Sequence, residues 1–151
     1  MNDEIPRLLP PEQMPPVRSQ YDLCLRWRAM MGPLGFSERL LWLSFLTAER
    51  TMSPHLIQIA DIPVDPEPEM LDSLTWICNQ TCRDPGLAGG SLAVLLSRPG
   101  TAAITDSDRV WARGLTLAAQ RGRLRMEPVH LATDERVCVF APDDLTPPRD
   151  T

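Results

Sequence analysis

One short apolar run, followed by a turn and an amphipathic segment, constrains the fold of this chain more than any other feature. The run covers residues 91–97 (SLAVLLS) and lies between Gly89-Gly90 and Pro99-Gly100. It is too short for a typical helix and is apolar on both faces, as a strand covered on both sides of a sheet is. The pattern therefore predicts a buried central strand followed by a sharp turn.

The segment after this turn carries the signals of a helix start. Thr105 is followed three positions later by Asp108, which predicts a capping box with Asp in place of the usual Glu. Apolar residues then recur at helical spacing as far as Arg121, and Gly122 is predicted to end the helix at the C′ position. Strand, turn and helix thus form one predicted unit.

The rest of the chain predicts a sheet with helices packed on it. Periodicity and turn signals predict a helix from Ser19 to Gly32, strands over 40–46 and 54–60, a helix over 67–82 capped by Asp65, and strands over 124–133, broken at Pro128, and 136–141. Strands that alternate with helices indicate an α/β (α+β) fold, in which helices cover a mixed sheet. Prolines crowd both ends, so we expect an extended arm over 1–18, a single domain over 19–145 and a flexible tail over 146–151.

Composition excludes several classes of protein. The chain has 151 residues, 43% of them hydrophobic, which is enough for one domain with a proper core. No apolar run approaches the roughly 20 residues that a membrane span needs, and the acidic, Pro-rich start is unlike a signal peptide. A net charge of −5 argues against a nucleic-acid binder or a binder of anionic membranes. The four cysteines are predicted to be free thiols in a reducing cytoplasm.

Residues 38–141 resemble the RadC-type JAB (JAMM) domain in the order and spacing of their segments. In that family a hydrophobic strand pair and a helix precede a strand ending in His-x-His-Pro-Ser-Gly, Ser-x-x-Asp opens the next helix, and a later strand carries Asp-His. Here the corresponding segments are Leu96-Ser-Arg-Pro-Gly100, Thr105-Asp-Ser-Asp108 and Val129-His130-Leu131. The chain is also similar to a group of actinobacterial chains. The resemblance implies a JAB/MPN-like (cytidine-deaminase-like) arrangement in three layers.

The positions that carry the chemistry of the JAB family are changed in this sequence. The resemblance implies that two His and one Asp would hold a catalytic zinc, but Leu96 and Arg98 stand at the two His positions and only Asp108 remains. An apolar side chain cannot ligate a metal, and an Arg places a fixed positive charge where the cation would bind. We therefore expect no metal or other cofactor, and we hypothesise that Arg98 and Asp108 form an ion pair instead.

Other candidate sites have simple structural alternatives. His55 and His130 are expected to be hydrogen-bonded or surface residues, because a catalytic zinc needs three protein ligands. Cys78 and Cys82 lie at i, i+4, where Cβ atoms are about 5–6 Å apart, whereas a disulfide needs roughly 3.5–4.5 Å. A redox pair would therefore require the helix end to open, and the alternative is that Cys78 packs in the core.

Arginine and tryptophan residues suggest an interaction surface. Trp76 lies off the apolar stripe of its helix, so it is either an exposed interface anchor or is covered by the N-terminal helix. Six arginines near the central helix indicate either a docking face for an acidic partner or a solvated surface: Arg98, Arg109, Arg113, Arg121, Arg123 and Arg125. The first hypothesis is a non-catalytic JAB-like module that binds a partner protein or a second copy of itself. The alternatives are a hydrolase with a displaced metal site and a thiol sensor that uses Cys78 or Cys82.

Overall fold

The computed structural model describes residues 14–145, so residues 1–13 of the predicted arm and the predicted tail 146–151 lie outside the described residues. The helices are α1 (Gln20–Met31), α2 (Pro68–Thr81), α3 (Asp106–Arg121) and the short α4 (Pro142–Leu145). The strands are β1 (Leu40–Leu46), β2 (Met52–Ala60), β3 (Ser91–Ser97), β4 (His130–Ala132) and β5 (Val137–Val139), and a 3-10 turn covers Pro85–Leu87. Among the described residues, none of the helices has both the length and the hydrophobicity that a membrane crossing requires.

The five strands form one mixed sheet in the order β2-β1-β3-β4-β5. Strand β1 is antiparallel to both β2 and β3, β3 is parallel to β4, and β4 is antiparallel to β5. All seven residues of β3 are buried, as expected for a strand covered on both sides. The predicted class, in which helices pack on a mixed sheet, is confirmed, and every predicted helix and strand is present.

Helices cover both faces of the sheet. The alternation of β3 places Leu92, Val94 and Leu96 in a large hydrophobic cluster with α2 and α3. The intervening residues Ala93 and Leu95 enter a second cluster, to which α1 contributes. Because successive residues of a strand point to opposite faces, the two clusters lie on opposite sides of β3, which is the buried centre of the fold.

Two predictions about element boundaries need correction. The N-cap of α2 is Glu67, which makes no side-chain capping hydrogen bond, and Asp65 does not cap the helix. The helix instead begins with Pro68, whose missing N–H is one that a first turn leaves unbonded anyway. The predicted strand over 124–133 is reduced to β4 and an isolated bridge at Met126, because Pro128 lacks the N–H that a sheet ladder requires.

Gly122 follows the last residue of α3, as predicted, but its role differs from the predicted one. Its φ is −83°, so it does not adopt the left-handed conformation of a C′ glycine, and Arg123 takes φ 58° instead. A Cβ atom on Gly122 would lie 2.3 Å from Cγ2 of Thr75 in α2. The absence of a side chain at this position therefore allows α2 and α3 to approach each other closely.

Candidate functional site

Strand β3 and helix α3 bring Leu96, Arg98 and Asp108 to the same end of the sheet. Arg98 directly follows β3, and its backbone N–H donates to the carbonyl of Ala132 at 3.0 Å, which extends the ladder with β4. Residues two apart in a strand share a face, so Arg98 points to the side of Leu96, where α3 packs. The capping box places Asp108 in the first turn of that helix.

Arg98 and Asp108 form the ion pair that the sequence analysis hypothesised. Nε of Arg98 donates to the two carboxylate oxygens of Asp108 at 2.9 and 3.1 Å, and Nη2 donates to Oδ2 at 2.8 Å. The two side chains are only 10% and 1% exposed. Water therefore screens this pair much less than it screens a surface pair.

The remaining N–H groups of Arg98 bind the turn that leads into α3. Nη1 donates to the carbonyls of Pro99 and Thr101 at 3.0 and 3.1 Å, and Nη2 donates to that of Ala103 at 2.8 Å. A guanidinium has five N–H donors, and all five have partners here. Arg98 thus cross-links the turn and the helix start through one side chain.

Asp108 is held in its charged form by these contacts. Burial alone would raise the pKa of Asp108, but hydrogen bonds from Arg98 and from Thr105 lower it by more, so the pKa lies below its usual value. The backbone N–H of Thr105 donates to Asp108 at 2.9 Å, and the Thr105 hydroxyl accepts from the N–H of Asp108 at 3.1 Å. This is the predicted capping box.

The residues at this site do not fit a zinc ion. Leu96 has no ligand atom, the guanidinium of Arg98 is a cation, and both oxygens of Asp108 already accept hydrogen bonds. His130 cannot complete the site, because it pairs with Leu95 and so points to the opposite face of the sheet. Within residues 14–145 no group of three or more His, Cys, Asp and Glu side chains is placed to hold a metal ion.

The two histidines have separate hydrogen-bonding environments and do not belong to one ligand site. His130 is fully buried, and its Nδ1 lies 3.0 Å from the carbonyl of Pro128. Burial lowers the pKa of His130, although contacts with carbonyl oxygens of Pro128 and Gln20 and the charge of Glu127 oppose this. His55 is a half-exposed residue whose Nε2 lies 3.4 Å from Oδ2 of Asp84.

The cysteines give no support to a thiol sensor. All four are free, and Cys78 is buried in the core as predicted, while Cys82 lies at the end of α2. Burial, with a smaller contribution from Cys82, raises the pKa of Cys78 to about 12, and burial raises the pKa of Cys82 as well. The thiolate is the reactive form of cysteine, so both thiols are poor nucleophiles at neutral pH.

The six arginines do not form one surface. Arg98 is buried in the site described above, Arg109 pairs with Asp106 at 3.2 Å, and Nε of Arg113 donates to the carbonyl of Leu145 at 3.1 Å. Arg121, Arg123 and Arg125 are exposed. Trp76 is 65% exposed, and helix α1 does not cover it, because α1 packs on the opposite face of the sheet from α2.

A second ion pair lies at the other end of β3, and the sequence analysis did not find it. Nη1 and Nη2 of Arg50 donate to the two oxygens of Glu127 at 3.0 and 2.7 Å, and Nε donates to the carbonyl of Val17 at 3.1 Å. The Arg50 hydrogen bonds lower the pKa of Glu127, against an opposing effect of burial. The two residues are 77 positions apart, and neither belongs to a motif that indicates the other.

Comparison of the chain with known proteins gives no further information on the Arg98 site. No family model matches the chain, and no curated protein matches it. The resemblance to the RadC-type JAB domain therefore stays a prediction, based on the order of the segments and on the positions of Leu96, Arg98 and Asp108.

Proposed function

We propose that this chain is a metal-free, JAB-like module that acts by binding a partner protein, in a scaffold or regulatory role, and that it is not an enzyme. The order of the elements supports the proposal, since a strand pair, a helix, the central strand, a second helix and a further strand follow one another as the resemblance implies. The presence of helices on both faces of the sheet is also in keeping with three layers.

The observation that carries this proposal is the complete hydrogen bonding of Arg98. The guanidinium lies at the second His position of the JAB pattern, next to the Asp that the pattern retains, and it uses every N–H on Asp108 and three backbone carbonyls. A buried charge is tolerated when it is paired and hydrogen-bonded. The arginine thus provides the positive charge that a metal ion would provide, without an open coordination position for a substrate or water.

The alternatives lack a comparable observation. A hydrolase with a displaced metal site needs three ligands and an open position, and the described residues offer no such group. A thiol sensor needs an accessible cysteine with a lowered pKa, whereas the pKa values of Cys78 and Cys82 are raised.

Rebuilding the metal site tests the proposal. We expect natively purified protein to contain no stoichiometric zinc, and we expect the double variant Leu96→His/Arg98→His to bind zinc through the two imidazoles and Asp108. A matched control is Leu95→His/Ser97→His combined with His130→Asn, which has the same spacing but points to the face opposite Asp108 and lacks the native imidazole beside position 95. Adding Asp108→Asn to the first variant should remove the gained affinity. Zinc binding is measured by calorimetry, and folding by circular dichroism with and without the metal.

Two results would contradict the proposal in different ways. Stoichiometric zinc in the wild-type protein would show that a metal site exists elsewhere in the chain. A folded Leu96→His/Arg98→His variant that binds zinc no better than the control pair would show that the three positions do not have the JAB geometry.

A further inference from the structure

We infer that a second copy of this chain binds to the outer surface of α2 and α3, so that the protein forms a two-fold symmetric dimer. The inference names the partner of the interaction module proposed above and rests on that proposed function in this respect. The surface, called here the α2–α3 face, consists of exposed side chains of two helices that pack side by side: Glu69, Asp72, Trp76, Leu117 and Arg121.

Helices α2 and α3 run parallel to each other. A Cβ atom on Gly114 would lie 3.2 Å from Cδ1 of Leu71, and one on Gly122 would lie 2.3 Å from Cγ2 of Thr75. The amide of Asn79 also donates to the carbonyl of Gly122 at 3.3 Å. Later residues of α3 therefore contact later residues of α2, and the N-terminal ends of both helices lie at the same end of the face.

The centre of the α2–α3 face is apolar and exposed. Trp76 is 65% exposed, because the core side of α2 is formed by other residues of the helix. Leu117, which is 45% exposed, lies three residues after Gly114 and is therefore its neighbour on the surface of α3. Tryptophan is among the residue types that most often dominate the energy of an interface.

The two ends of the α2–α3 face carry opposite charges. Three exposed acids lie at or near the N-terminal end of α2: Glu67, Glu69 and Asp72. Three exposed arginines lie just beyond α2 or at the C-terminal end of α3: Arg83, Arg121 and Arg123. None of these six side chains forms an ion pair with another residue in the described part of the chain. The charges are thus available to a partner.

This distribution of charge matches a second copy better than a partner of one sign. A two-fold axis near Trp76, in the plane of the interface and perpendicular to the helices, turns the second copy end for end, so that the acids of each chain face the arginines of the other and the apolar centres meet. A uniformly acidic or basic partner would be repelled at one end of the face. The helices have 14 and 16 residues, so the face measures roughly 20 Å in each direction. An interface of this size belongs to the small, reversible class.

Analytical ultracentrifugation of the full chain over a wide range of concentrations tests the inference. We expect the wild-type protein to form a dimer reversibly, and we expect Trp76→Glu to weaken dimerisation by roughly tenfold or more, as for a hot-spot residue. The matched control is Leu56→Glu, which places the same charge on an exposed apolar position of β2 and should leave the dimer unchanged. Thermal unfolding checks that each variant is folded.

Charge reversal tests the orientation of the two copies. Asp72→Arg and Arg121→Asp should each weaken dimerisation, whereas the double variant, which exchanges the two ends, should recover it. A wild-type chain that is monomeric at every concentration would overturn the inference, and so would a dimer that is sensitive to Leu56→Glu but not to Trp76→Glu. Neither result bears on the zinc experiment, so failure of the dimer and failure of the proposed function are distinguishable.

Discussion

Two pairs of an arginine and a buried carboxylate lie at opposite ends of the central strand β3, and they are built differently. Arg98 follows the strand and binds Asp108 only ten residues later, whereas Arg50 binds Glu127 across 77 residues. The side chains of the first pair are 10% and 1% exposed, and those of the second are 38% and 10% exposed. The first pair has little contact with water, while the second keeps its arginine partly hydrated.

The two pairs also differ in the segments that their arginines connect. Arg98 uses its remaining donors on a turn that belongs to the same strand–turn–helix unit, so the charge organises one local structure. Arg50 joins the β1–β2 hairpin to the segment before β4 and, through Val17, to the chain before α1. The second pair therefore links segments that are distant in the sequence.

The largest expected effect follows removal of Arg98. Arg98→Ala leaves the carboxylate of Asp108 buried without its partner, a change that typically costs about 3–5 kcal/mol of the free energy of unfolding. It also removes the hydrogen bonds to the turn carbonyls. Urea denaturation followed by circular dichroism measures the loss.

Arg113→Ala is the matched control for this substitution. Arg113 lies on α3 and donates one hydrogen bond to the carbonyl of Leu145, so its removal should cost no more than about 1 kcal/mol. The loss of stability for Arg98→Lys should lie between the losses for Arg98→Ala and Arg113→Ala. An ammonium keeps the charge but cannot reproduce the planar hydrogen-bonding geometry of a guanidinium. Equal losses for Arg98→Ala and Arg113→Ala would show that the buried pair has no special role.

Neutralising the partner carboxylate is expected to have the second largest effect. Asp108→Asn keeps the shape of the side chain but loses the charge-assisted bonds to Arg98, which we expect to cost about 1.5–3 kcal/mol. The pKa of Asp108 lies below its usual value. The contribution of the Asp108 charge to the free energy of unfolding is therefore fully present above the unfolded-state pKa of about 4, and it is lost as the pH falls through the folded-state pKa.

The pH profile of this variant gives an internal check. Asp108→Asn should lose part of the decrease in stability that the wild-type protein shows below about pH 4. Asp106→Asn, in the same helix turn but fully exposed, should change the stability at neutral pH much less than Asp108→Asn, because solvent screens its pair with Arg109. A variant at Asp108 that is as stable as the wild-type protein would mean that the desolvation of the ion pair cancels its attraction.

The sequence was sufficient to predict the unit at the Arg98 end because every signal in that unit is local. The apolar run of β3, the turn after it and the pairing of Thr105 with Asp108 lie within one short segment, and each has a direct effect on the backbone. The alternation of a strand then places Leu96 and Arg98 on the side of α3. The strand, the turn and the helix start followed from these rules, whereas the hypothesis that Arg98 pairs with Asp108 rests on the resemblance to the RadC-type JAB domain.

The rest of the fold depends on contacts between distant residues, which no local pattern reports. Nothing near Arg50 indicates Glu127, and the role of Gly122 appears only when Thr75 of α2 is seen beside it. Asp65 satisfied the composition rule for a cap, yet the helix begins after Glu67 because Pro68 already fits its first turn. Sequence reasoning therefore failed where tertiary packing selects among locally equivalent choices.

A smaller effect is expected at the other end of β3. Arg50→Met keeps much of the apolar stem and removes the guanidinium, and we expect it to cost about 1 kcal/mol. The Arg50 side chain is 38% exposed, so solvent screens the pair and can rehydrate Glu127 after the substitution. Urea denaturation under the conditions used for Arg98→Ala makes the two ends directly comparable.

A loss for Arg50→Met as large as that for Arg98→Ala would remove the distinction between the two pairs. The burial of Glu127 would then determine the loss of stability more than the exposure of Arg50 does. Glu127→Gln separates these cases, since it removes the buried charge but leaves Arg50 in contact with water and the carbonyl of Val17. It should be milder than Arg50→Met if the unpaired carboxylate is the main cost.

The smallest expected effect is a change in the slope of stability against pH rather than in stability at neutral pH. His130 lies near Glu127, and burial lowers its pKa below the ordinary value of about 6.5. As the pH falls through that value, the unfolded chain binds a proton before the folded chain does, so the free energy of unfolding decreases. The Glu127 end of β3 therefore loses stability near pH 6, whereas the Arg98 end loses it only in stronger acid.

His130→Asn tests this difference, because it removes the titrating ring from the buried position. We expect the variant to lose less stability than the wild-type protein when the pH is lowered from about 7 to about 5, whatever its stability at pH 7. If His130→Asn retains the wild-type slope, then the Glu127 end of β3 is no more sensitive to mild acid than the Arg98 end.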